Sequence, residues 1–141
     1  MHPEIWGPSG WLFLHTITFN YPINPTQEQK MKHKELFENL VYTLPCARCA
    51  QHYSNNLKKY SLDEALQTRD KLINWLIDIH NEVNKKNNKK VYSYDEVRKI
   101  YKDMYSIKGK DKDKNTGFNL NTILIIIILI LIGFYIYKEY Y

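Results

Sequence analysis

Three times in the first hundred residues a hydroxyl side chain is followed three positions later by Gln or Glu: Thr26 with Gln29, Ser61 with Glu64, and Ser93 with Glu96. A Ser or Thr at a helix start accepts the N–H of the third helical residue, and the Gln or Glu there reaches back to the cap, so each pair marks the beginning of a helix. The apolar spacing agrees. Trp11, Leu14, His15 and Thr18 share one helical face, and Tyr21-Pro22 through Pro25 end that segment, which is read as starting near Pro8. Phe37, Leu40, Val41 and Leu44 form an i, i+3, i+4, i+7 stripe, after which Pro45 suits the first turn of a third helix. Leu72, Ile73, Leu76, Ile79, His80 and Val83 give a long amphipathic helix, and Val97, Ile100, Tyr101 and Met104 a short one. No stretch alternates with period two for long enough to make a strand. The expected fold is all-α, a four-helix bundle plus a short fifth helix over residues 1–105.

The remainder reads differently. Residues 106–119, SIKGKDKDKNTGFN, are polar and are expected to form a flexible juxtamembrane linker. Residues 120–137, LNTILIIIILILIGFYIY, contain no charge. Roughly 18 residues make a helix of about 27 Å, enough to cross a bilayer's hydrocarbon core, and a domain this small has no interior that would hide it. The expectation is a single C-terminal transmembrane helix at 120–137 with a short tail at 138–141. Lys108, Lys110, Lys112 and Lys114 precede the run and only Lys138 is basic beyond it, which by the positive-inside rule places the domain on the cytosolic side. The N-terminus, MHPEIWGPSG, has neither the basic nor the apolar region of a secretory signal. The Lys and Arg residues behind the net charge of +5 are scattered except for a basic run after residue 84 and another just before the apolar tail, so a membrane surface, and no nucleic acid, is the expected partner.

Cys46 and Cys49, in LPCARCAQHY, are the only cysteines. A bridge closing so short a loop removes little chain entropy, so the pair is no stabilising framework. Structural zinc needs four ligands, and histidines at 2, 15, 33, 52 and 80 include no pair at the usual spacing, so no metal is expected. Covalent haem would need His at position 50, which is Ala. At i and i+3 the two thiols share a helical face, near a helix N-terminus whose free N–H groups and dipole favour a thiolate; Arg48 adds positive charge. The pair reads as a redox-active dithiol on a helical scaffold, with two thiols that merely pack as the plainer alternative. A thioredoxin-like setting would require strands. If the dithiol is redox-active, another group must take its electrons.

Three separated motifs, WGPSGWLFLHT with Tyr21-Pro22, LPCARC with His52, and IHNEVNKK, in this order across about residues 6–105, resemble the Erv/ALR flavin-linked sulfhydryl oxidases. The resemblance implies a helical bundle holding FAD noncovalently, with Cys46 and Cys49 as the catalytic pair and Cys49 beside the flavin. Trp11 and His15 match the W-x-x-L-H flavin contacts, and His80, Asn81, Val83 and Asn84 match the H-N-x-V-N motif that grips the adenosine and pyrophosphate part. Lys89 and Tyr92 align with a basic and an aromatic residue beyond that motif, and His52 with a histidine present in some branches. The activity implied is oxidation of a protein dithiol, with dioxygen as acceptor and hydrogen peroxide as product. Relatives commonly carry a further shuttle pair; here no third cysteine exists. The substrate must then reach Cys46 directly, as a thioredoxin-like or glutaredoxin-like carrier would. The resemblance also implies a homodimer and, for a short membrane-anchored form, a virion membrane of a large cytoplasmic DNA virus. A flavin-free, membrane-tethered exchange adaptor and a zinc-linked helical module are the competing readings.

Overall fold

The computed structural model describes residues 1–114 together with Leu124 and Ile128. Among the described residues there are six helices and no strand: α1 (Pro3–Asn20), α2 (Gln27–Thr43), α3 (Ala47–Lys59), α4 (Leu62–Ala65), α5 (Arg69–Lys86) and α6 (Tyr94–Lys114). The expected four helices and a short fifth are thus corrected to six. Thr68, whose side chain accepts the N–H of Lys71 at 3.3 Å, opens a new helix and separates the single turn of α4 from α5. All three capping pairs act at helix starts. Thr26 and Gln29 bond reciprocally, as do Ser93 and Glu96, and Ser61 accepts from the N–H of Glu64.

Two boundaries differ from expectation. α1 begins at Pro3, with Pro8 in its interior. A proline crowds the Cβ of the residue before it, and Gly7 has none, which makes helical continuation easier there. Pro45 precedes α3 instead of entering its first turn, and Cys46 is the N-cap. Met1–Val97 form one compact unit and Arg98 begins the next. α6 runs to Lys114, so the first part of the expected linker is helical; Lys is a good helix former and one glycine costs only about 1 kcal/mol. Apart from Leu124 and Ile128, the expected transmembrane helix lies outside the described residues. Among those described, no helix is long and apolar enough to cross a membrane.

Within the first unit, α5 packs against α1, α3 and α4, and α2 packs against α3. One stripe of α5, Leu72, Trp75, Leu76 and Ile79, enters the core with Phe37 of α2, Tyr53 of α3, Leu62, Ala65 and Leu66 around α4, and Tyr21 after α1. Trp11, Leu14 and Ile17 of α1 pack against that core from one side. The aromatic polar tips are satisfied by backbone carbonyls. Tyr21 donates to Leu66 O at 2.9 Å, Tyr53 to Phe37 O at 2.9 Å, and Trp75 Nε1 to Tyr60 O at 3.1 Å. The Arg69 guanidinium also donates to the Tyr21 carbonyl, so the end of α1 is tied to the start of α5. Together these bonds fix the relative placement of α1, α3 and α5, the helices that carry the candidate site.

Candidate active site

Cys46 and Cys49 are joined in a disulfide with their Cα atoms 5.2 Å apart. Both are half-buried. The backbone at Cys46 is extended, which lets its Sγ accept the N–H of Cys49 at 3.2 Å in the way a serine oxygen caps a helix. One orphan donor of α3 is thereby spent on the Cys46 sulfur. On its outer side Cys46 lines an open groove of about 610 Å³ between the end of α2 and the start of α3; Cys49 does not line it. The two sulfurs therefore serve different surroundings.

The second group of expected residues converges from α1 and α5. The rings of Trp11 and His80 stack with centroids 3.9 Å apart and planes within 7°. His15 Nε2 lies 3.1 Å from His80 Nδ1, so one of the two nitrogens donates to the other. His15 is 1% exposed. Burial, followed by the proximity of His80, holds its pKa down at about 3; burial, followed by Lys89, holds that of His80 at about 4. Both imidazoles are neutral near pH 7, each with one N–H and one bare nitrogen. The sequence pattern marks each residue singly. That they touch one another across 65 positions is a product of the α1–α5 packing.

The remaining expected residues divide. Asn81, buried, donates from its amide to Tyr92 O at 2.8 Å and accepts the Tyr92 N–H at 3.1 Å, pinning the α5–α6 connection to α5. Tyr92 is half-buried, with the Lys90 ammonium 4.7 Å from its ring centroid. Lys89 is exposed, and its backbone N–H closes on Asn84 O at 2.8 Å. Asn84 is buried, and Val83 is half-buried beside it on α5. His52 does not join the His15–His80 pair. Its Nε2 meets the Lys86 ammonium instead, and burial, then Lys86 and Arg48, lower its pKa, so the neutral ring accepts from the lysine. Lys86 and the groove residue Tyr42 were not singled out in the sequence: the only signal for Lys86 is its place in the basic run, and an exposed tyrosine among twelve carries none.

These residues suit a planar, polyanionic dinucleotide. A parallel indole–imidazole wall matches a flat ring system, uncharged buried imidazoles match its hydrogen-bonding edges, and the lysines at the end of α5 match a pyrophosphate. Trp6 Nε1, buried and without a hydrogen-bond partner among the described residues, is a further donor at the start of α1.

A small helical domain with a disulfide at a helix N-terminus and a neutral imidazole pair, one ring of which stacks on indole, defines a candidate thiol-redox protein built to work with a planar cofactor. Comparison gives the lineage: residues 8–103 match the Erv1 / Alr family, and the chain belongs to it. It is 46% identical over 97 residues to a probable FAD-linked sulfhydryl oxidase of Acanthamoeba polyphaga mimivirus, covering 68% of each chain. It is 32% identical to the mitochondrial FAD-linked sulfhydryl oxidase of Saccharomyces cerevisiae, over 69% of this chain and 50% of that one. A crystal structure of the FAD-binding domain of Erv1 from the same yeast superposes with a TM-score of 0.68 at 30% identity, covering 73% of this chain and 96% of that one.

Proposed function

We infer that the chain is an FAD-linked sulfhydryl oxidase that forms disulfides in protein substrates. The observation that carries this is the divided placement of the Cys46–Cys49 bridge, one sulfur lining an open groove and the other not, in a chain of this family. A substrate thiolate attacks Cys46 Sγ, the S–S bond breaks, and the electron pair leaves on Cys49 Sγ. A second substrate thiolate then attacks the mixed disulfide, the new substrate disulfide forms, and Cys46 leaves as a thiolate. That leaving group is already provided for, because Cys46 Sγ accepts the Cys49 N–H at the positive end of α3. The substrate is oxidised by two electrons and the pair is reduced by two.

FAD, when bound, takes those two electrons from the dithiol and passes them to dioxygen, giving hydrogen peroxide. Trp11, His15, His80 and Asn84, with Cys49, His52, Val83 and Lys89, are the residues that would hold it. Asn81 and Tyr92 support them through the bonds that pin the α5–α6 connection. The lowered pKa values of His15 and His80 keep positive charge away from the wall on which a neutral ring would lie. The uncharged run at 120–137 supports a membrane anchor with the domain on the cytosolic side, and viral relatives support a virion membrane. Ile5, Leu12 and Phe13, exposed on α1, offer an apolar strip to a second copy in a homodimer, and a thioredoxin-like or glutaredoxin-like carrier fits as the dithiol substrate.

Purified full-length chain tests the reading. A flavin spectrum and oxygen consumption with dithiothreitol are expected, with Cys49→Ser keeping the flavin and losing turnover to background. Colourless protein that only exchanges disulfides would replace the oxidase by an adaptor, and undiminished turnover in Cys49→Ser would reject the role given to that sulfur.

A further inference from the structure

The groove beside Cys46 has two walls of distinct character. Val41, Tyr42, Leu44 and Pro45 form one, from the end of α2. Ala47, Ala50, Gln51 and Ser54, at i, i+3, i+4 and i+7 on the outer face of α3, form the other. Three of those four side chains are small, which is why a channel remains beside the helix. Its volume is that of a ligand site; Met1 also lines it and brings the N-terminal ammonium, while none of the lining side chains carries a charge. Tyr42 stands 83% exposed at its edge, a large aromatic face left in water one turn before the disulfide.

The backbone at the α2 end is also left open. Pro45 has no N–H to return to Val41 O, and the N–H of Cys46 turns to Leu44 O at 2.8 Å rather than to Tyr42 O. The carbonyls of Val41 and Tyr42 thus lack their regular helical donors beside the reacting sulfur. At the opposite end, the Ala47 and Arg48 N–H groups belong to the first turn of α3 and have no intrahelical acceptor. An extended peptide needs this combination, acceptors for its N–H groups and donors for its carbonyls, beside a cysteine that lines the groove.

Charge selects further. Arg48 stands exposed between the two cysteines, next to the groove rather than in its lining, and α3 carries no acidic residue; Lys58 and Lys59 lie at its far end. The sequence holds no third cysteine to serve as an internal shuttle to Cys46.

We propose that the groove is a docking site for an extended, cysteine-bearing segment of the substrate protein, with small or apolar residues next to the reacting cysteine and a carboxylate placed to meet Arg48. The proposal rests on the oxidase reading and deepens it: the substrate is selected by the chain around its thiols, not by the thiols alone. Tyr42 covers the segment, and Arg48 biases its charge.

The test uses flavin-loaded full-length protein and three dithiol probes: dithiothreitol, a Cys-x-x-Cys peptide with glutamate flanks, and the same peptide with lysine flanks. The ratio of kcat/KM for the acidic peptide to that for dithiothreitol is expected to fall about tenfold in Tyr42→Ala and in the groove-filling Gln51→Trp, through KM more than kcat. The acidic peptide is expected to outpace the basic one several-fold at low salt, a preference that shrinks with added salt and in Arg48→Gln. Unchanged ratios in both groove variants, or equal rates for the two peptides, would overturn the docking site while leaving the oxidase intact. No oxidation of any of the three thiols would overturn the oxidase reading itself, and the docking proposal with it.

Discussion

The imidazole pair, His15 buried and His80 half-buried, makes acid the sharpest physical probe of this fold. In the unfolded chain His15 and His80 take up protons near pH 6.5, and in the native state only at about 3 and about 4. Between those limits the unfolded state binds more protons than the native one, so stability rises with pH. The pair's contribution is complete above about 6.5 and is lost as the pH falls toward 4. Where both histidines are charged in one state and neutral in the other, the slope is about 2.7 kcal/mol per pH unit, and between pH 7 and pH 5 the loss is about 4 kcal/mol. Against a typical total stability of about 5–15 kcal/mol that is a large share. Urea midpoints at pH 7, 6 and 5 should reveal it, compared with a His15→Asn, His80→Gln double variant that cannot titrate at these positions. Glu82 and Glu96, held at about 2 by hydrogen bonds to Lys85 and Lys90, are lost only at lower pH, and His52 is common to both chains. The wild type should lose stability across this range much more steeply than the double variant. Equal slopes would refute the claim that the pair is neutral and buried in the native state.

Two further outcomes test the scaffold. Asn88 ends α5 with φ of 52°, in the left-handed region that its short polar side chain tolerates. Asn88→Val should lower stability by about 1–2 kcal/mol while Asn88→Gly stays within a few tenths, read from urea midpoints; equal losses would mean that the strain is absent. Tyr21→Phe should cost about 1–3 kcal/mol, because Leu66 O would lose its donor at a site where Tyr21 is 0% exposed. A wild-type melting temperature in that variant would show that water reaches the carbonyl.

Much of this was legible in the sequence because helix starts and apolar stripes are local. Thr26, Ser61 and Ser93 each cap where their spacing indicates, and His15 and Thr18 turn inward on the face shared with Trp11. The division of α4 from α5 was hidden because Thr68 caps without Glu or Gln at the third position, where Lys71 stands. The early start of α1 was hidden because Pro8 reads as a boundary, although Gly7 before it removes part of the steric reason for one. The site residues were visible as motif members, but their contacts were not. Asn81, matched to the cofactor motif, spends its whole amide on Tyr92, and His52 meets Lys86 rather than the other histidines. Those outcomes depend on how α1, α3 and the α5–α6 connection pack around α5, which no window of local sequence contains.

A disulfide at a helix start is common chemistry, and its direction here comes from what holds α3. Tyr53 anchors the helix to the Phe37 carbonyl of α2, and Lys86 of α5 meets His52 one turn beyond Cys49. Because Cys46 is the cap and Cys49 supplies the capped N–H, a rotation of α3 would disturb the hydrogen bond and the exposure of Cys46 together. The helix is therefore held where one sulfur meets an incoming chain and the other is withdrawn from the groove. Electron flow from groove to interior requires that asymmetry. A protein that only shuffled disulfides would have no use for a neutral imidazole pair with one ring stacked on tryptophan, because the exchange chemistry ends at the sulfurs.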